Sequence, residues 1–143
     1  MPDPRATLAY EGVDAEYVTY QIDNSTITYD ATKANGAATT TLDKAVTLTA
    51  GNLLALCADG DAVVGRLDTV TSDNYARVQS EGFTTLPGGT SATLTPGTVA
   101  VGALLGAAKG YIRSAASATA AELVKAGPVI ENAADATAVV VQF

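Results

Sequence analysis

Few side chains in this chain could do chemistry, and they stand apart from one another. Cys57 is the one cysteine, and there is no histidine among the 143 residues. Without histidine, the commonest general base and metal ligand is missing, and so is every His-containing triad. A lone thiol needs an activating base to attack anything. In Leu54-Ala55-Leu56-Cys57-Ala58 it is read as a small buried hydrophobe. Asp59, Asp61, Asp68 and Asp73 form the densest carboxylate group. Their spacing departs from the twelve-residue calcium loop, and no Glu closes it, so they are read as turn formers. Neither Lys109 nor Lys125 has a Ser three residues before it, so no Ser-x-x-Lys site forms. Gly51, Gly97, Gly102 and Gly106 are not followed by Lys-Ser/Thr and open no phosphate-binding helix. The sequence therefore predicts no catalytic residue, no metal site and no cofactor.

The bulk properties point the same way. Eight Lys plus Arg against fifteen Asp plus Glu leave a net charge of −7. An acidic chain with no basic cluster does not suit nucleic acid. No apolar run reaches the ~18 residues of a membrane span, and Met1-Pro2-Asp3-Pro4-Arg5 does not open like a signal peptide. One cysteine excludes an intramolecular disulfide. The length suits one domain with a real core.

The elements that would position anything are strands. Residues 15–22 alternate, with Val18, Tyr20 and Ile22 on one face and Tyr17 and Thr19 on the other. Asp23-Asn24-Ser25 is a turn signal, and Thr26–Tyr29 resumes the pattern, so 15–30 is expected to form a hairpin. Tyr10, Tyr17, Tyr20 and Tyr29 gather in this region. Such a cluster serves either as interface anchors or as cross-strand packing. Residues 31–45 are read as a long loop with a turn at Asn35-Gly36. The strand from Leu53 is expected to turn at Asp59-Gly60-Asp61 and return over 62–70. A further strand spans 75–84. Val99–Leu105 and Gly110–Arg113 make another pair, with Gly102 marking a bulge or a close backbone contact. Thr119-Ala120-Ala121-Glu122 matches a capping box, so one short helix is expected near 119–126. Ala138–Phe143 reads as a strand inside a sheet.

One stretch recurs. Thr47-Leu48-Thr49-Ala50-Gly51 comes back as Thr93-Leu94-Thr95-Pro96-Gly97, 46 residues later. The echo predicts a single β-rich domain over 15–143, built of two similar units at about 46–89 and 92–143. Residues 1–14, with Pro2 and Pro4, are expected to form an extended N-terminal arm.

The Gly-centred order within 46–143 resembles a known family. Thr49-Ala50-Gly51-Asn52-Leu53, Val64-Gly65-Arg66-Leu67 and Val78-Gln79-Ser80-Glu81-Gly82-Phe83 come first. Thr95-Pro96-Gly97-Thr98-Val99, Gly127-Pro128-Val129-Ile130 and a Val-rich terminal strand follow. This series is similar to the head decoration, or cement, proteins of tailed bacteriophages. The resemblance implies a mainly β, compact, β-barrel or β-tulip-like domain on the outer capsid surface. It implies a structural role without enzymatic activity, made in the host cytoplasm and carried on the virion. The partner would be the major capsid protein, bridged by a homo-oligomer, with a trimer favoured. The arm would lie on the capsid through Pro2, Asp3, Pro4, Arg5, Thr7, Leu8 and Tyr10, with Tyr17, Tyr20 and Tyr29 as interface aromatics. Alternatives are another virion β module (tail tube, spike or fibre) or a carbohydrate-binding β module. The latter is weakened by the absence of Trp. A hydrolase lacks every motif it needs.

Overall fold

The computed structural model describes residues 15–115, 127–133 and 138–143. The expected arm over 1–14 and the expected helix near 119–126 lie outside the described residues. Everything described is strand, turn or loop. Ten strands follow in order: β1 (Glu16–Gln21), β2 (Ala45–Leu48), β3 (Leu54–Leu56), β4 (Gly65–Val70), β5 (Tyr75–Glu81), β6 (Phe83–Pro87), β7 (Ala100–Leu105), β8 (Ala108–Ser114), β9 (Val129–Ala133) and β10 (Ala138–Gln142). The mainly β expectation holds. The strands pair antiparallel into three sheets, ordered β1-β5-β4-β2-β3, β6-β10-β9 and β7-β8. The sheets stay open, and none closes into a barrel among the described residues. At Gly82 (φ 88°) the chain leaves the first sheet after β5 and enters the second as β6. A left-handed turn there costs glycine little.

Two cores result. Ile22, Ile27, Val46, Leu54, Leu67, Val70 and Val78 fill the first. Cys57, Leu86, Ala100, Ile112, Ile130, Val139 and Val141 fill the second. Successive residues of β2 divide between them, Ala45 facing the second core and Val46 the first. Strand alternation sends neighbours to opposite faces, so β2 is covered on both sides.

Two expected hairpins are corrected. Residues 15–30 do not pair with themselves: β1 pairs with β5, and 26–30 form no strand. The Asp23 carboxylate accepts the backbone N–H of Ser25, Thr26 and Ile27 at 3.0–3.2 Å, so those donors cannot serve a ladder. The Asp59-Gly60-Asp61 turn forms, but β4 does not return along β3. It pairs with β2 and β5 instead. The turn is held by β7, where Gly60 N–H donates to the Gly102 carbonyl at 2.9 Å and Gly102 N–H to the Asp61 carbonyl at 2.8 Å. That is the close contact expected at Gly102: a Cβ there would sit 2.2 Å from the Ala58 carbonyl oxygen. The β7–β8 pair and the central position of β10 agree with expectation.

The echo of Thr47–Gly51 carries less than it promised. Thr49 N–H donates to Leu53 O at 2.9 Å and Asn52 N–H to Thr49 O at 2.9 Å, and Asn52 takes φ 59°. This is a three-residue hairpin loop with a left-handed residue at its end. Its structural twin is Thr71–Tyr75: Thr71 N–H to Tyr75 O at 2.8 Å, Asn74 N–H to Thr71 O at 3.2 Å, Asn74 at φ 63°. Thr95-Pro96-Gly97-Thr98 turns differently, with Gly97 at φ 82° after Pro96, the signature of a type II turn. It joins no hairpin; Gly97 N–H docks on the Ile130 carbonyl at 2.7 Å.

Candidate interaction surface

The residues with possible chemistry are each absorbed locally. Cys57 is fully buried, and burial pushes its thiol pKa up, helped by the nearby Asp61 charge. Asp61 Oδ2 accepts the Ala58 N–H at 2.8 Å. Asp59 pairs with Arg113 at 2.9 Å, and Asp68 pairs with Arg77 at 2.7 Å. Asp73 accepts from the Thr71 hydroxyl. The structure separates these four carboxylates, and no group of three or more metal-ligand side chains forms among the described residues. Asp23 sits in the turn after β1. Burial raises its pKa, but hydrogen bonds from Ser25, Ile27 and Thr26 outweigh that and hold it at about 2. Its oxygens are occupied by donors from its own turn.

One hydroxyl-lined cup of about 450 Å³ opens beside β8, walled by Thr90, Thr93, Thr95, Thr98, Arg113 and Ser114. Its polar groups serve each other. Thr98 Oγ1 lies 2.9 Å from Ser114 Oγ, and Thr95 N–H donates to the same oxygen at 2.9 Å.

The surface that is left unspent is β1. All its residues but Tyr20 are exposed. Its inner edge pairs with β5 through Tyr17↔Gln79, Val18↔Val78, Thr19↔Arg77, Tyr20↔Ala76 and Gln21↔Tyr75. No described residue pairs with its outer edge. Two other edges are closed. Along β3, Ile22 bridges Leu54, Asp23 N–H donates to Leu54 O at 2.9 Å, and Leu56 N–H donates to Thr26 Oγ1 at 2.9 Å. Along β9, Ile130 N–H donates to Thr98 O at 2.8 Å.

The expected aromatics fall unevenly on this surface. Tyr17 is 45% exposed and lies under the Arg77 guanidinium, 4.6 Å from ring centre to Arg77 Cζ. Tyr20 points to the opposite face and packs on the first core. Tyr29 is exposed, in the loop beyond the Asp23 turn, with its ring beside Gly36. The three therefore form no single patch. Pro2, Asp3, Pro4, Arg5, Thr7, Leu8 and Tyr10 lie outside the described residues. Sequence reasoning missed Val18, which follows Tyr17 in β1 on the other face, and Tyr75, which lies opposite Gln21 at the far end of the β1–β5 ribbon; each is 41% exposed. It also missed Glu16 and Glu81, two exposed carboxylates paired across that ribbon. The alternation puts Val18 on the same face as Tyr20 and Ile22, so the sequence carried no signal of its exposure.

Comparison with protein-family models, with curated proteins and with solved structures returns no match to this chain.

Proposed function

We propose that this chain is a structural virion protein. It binds the outer surface of a tailed-phage capsid, bridges major capsid protein subunits and stiffens the head. The observation that carries the reading is the outer edge of β1, with which no described residue pairs and which bears the exposed Tyr17 and Val18. Backbone donors and acceptors on such an edge bind an extended strand without a side-chain code. The segment 1–14, which leads directly into β1, is the arm that would lie on the capsid beside it. Many copies on a symmetric shell multiply a weak contact into firm attachment. A homo-oligomer, with a trimer favoured, fits that role. The role is non-enzymatic and takes no cofactor. The protein would be made in the host cytoplasm and end on the virion surface.

The test is co-sedimentation with purified undecorated heads, followed by a cryo-electron microscopy map. The reading predicts saturable binding and β-domain density on the outer shell. A protein that stays in the supernatant, or that maps to tails, contradicts it.

A further inference from the structure

We infer that the outer edge of β1 takes an extended partner strand that carries a Lys or Arg at the end lying beside Glu16. The inference deepens the capsid reading, and rests on it for the partner's identity, but not for the chemistry of the edge.

Natural edge strands are blunted by Lys, Pro, bulges or a covering loop. β1 has neither Lys nor Pro, and Glu16 is its one charge. Its register shifts between Glu16 and Tyr17, so Ser80 has no partner across the ribbon. The bulge limits the regular ladder to Tyr17–Gln21. It also sets Glu16 directly opposite Glu81. Like charges placed opposite each other on neighbouring strands are destabilising. Both are exposed, and neither has an ion-pair partner among the described residues. At the middle of the ribbon the charges are already balanced: Arg77 is bound by Asp68 and covers Tyr17. The uncompensated charge therefore lies at one end of an otherwise neutral edge. A cation on an incoming strand would lie beside Glu16, on the side away from Glu81, and offset the negative charge of the pair, while the backbone ladder forms along Tyr17–Gln21. A second copy of this chain fits less well. Antiparallel β1–β1 pairing supplies no cation to Glu16, and two chains of net charge −7 repel.

Two arms test this. In the first, heads are titrated with the wild-type chain and with the Glu16→Gln, Glu81→Gln double variant. Removing the like-charge pair leaves the fold intact, and near-UV circular dichroism checks that. The variant is expected to bind heads about 3–10-fold more weakly at low salt, the range of one to two exposed ion pairs, with the difference shrinking as salt rises. In the second arm, two eight-residue Thr/Val peptides, one ending in Lys and one in Glu, are titrated while the β1 amides are followed by NMR. The Lys peptide is expected to shift Tyr17–Gln21 and the Glu peptide to shift them much less. Equal head binding by wild type and variant, together with no preference between peptides, overturns the inference while leaving the capsid reading standing. No binding to heads together with selective Lys-peptide binding removes the capsid reading and leaves the strand chemistry. Dimerisation of the free chain through β1, detected by light scattering and abolished by Val18→Lys, overturns the inference in favour of a second copy.

Discussion

The five-stranded sheet has two ends, β3 and β1, and the chain treats them oppositely. β3 is three residues long, and Leu54 in it is fully buried. Its outer edge is closed by Ile22–Thr26, a segment bent into place by the Asp23 carboxylate. β1 is twice as long, exposed, and open along its outer edge among the described residues. The two ends are consecutive in the chain: residues that finish β1 go on to seal β3. Closing an edge here is the work of one turn, and that turn is used once. The difference marks β3 as architecture and β1 as surface.

The comparison can be broken hardest at β3. Leu54→Ala removes a fully buried side chain from the first core and is expected to cost about 2–5 kcal/mol in urea denaturation. A cost near zero would mean that β3 is no better anchored than β1. Next in size is the seal itself. Asp23→Ala strips the acceptor from the N–H groups of Ser25, Thr26 and Ile27 and is expected to cost about 1–2 kcal/mol. The pH dependence follows from the same group. Its carboxyl is held at about 2 in the fold, below its usual 3.8. Its contribution is therefore complete above about pH 4 and is lost as pH falls towards 2. Thermal melts between pH 5 and 2 should fall less steeply for Asp23→Ala than for the wild type; parallel curves would sever the link. The smallest stability effect belongs to the open edge. Tyr17→Ser gives up a half-exposed ring and a surface cation–π contact, so less than about 1 kcal/mol is expected. Under the proposed function the same change weakens capsid binding, which a merely structural tyrosine would not do.

The contrast also separates what the sequence made legible from what it hid. Local signals read correctly. Val99–Leu105 and Gly110–Arg113 make the β7–β8 pair, the Val-rich C-terminal stretch lies mid-sheet, and Cys57 is buried. These depend on apolar runs and nearby turns. Partner choice between distant strands was hidden, because period-two alternation names a face and not a neighbour. β1 therefore read as half of a local hairpin, when its partner β5 lies more than fifty residues on. Asp23 looked like any turn residue, and only its three backbone donors reveal that it ends one strand and seals another. The Thr47–Gly51 echo misled for a related reason. Similar letters at Thr95–Thr98 gave a type II turn, because Pro96-Gly97 puts the left-handed position one residue earlier, while the dissimilar Thr71-Ser72-Asp73-Asn74 reproduced the hairpin loop. The candidate surface was half legible: Tyr17 was singled out from its sequence, but Val18, Tyr75 and the Glu16–Glu81 pair emerge only once β1 lies on β5.

The most direct measurement is amide hydrogen exchange on β1 and β3, free and bound to heads. In the free protein the Asp23 and Leu56 amides should exchange slowly, because both are hydrogen bonded along the β3 edge, and the outward amides of β1 should exchange fast. On capsid binding the β1 amides should slow at least tenfold while those of β3 stay as they were. Outward β1 amides that are already slow in the free chain, or that remain fast on the bound particle, would contradict the claim that this edge is the working surface.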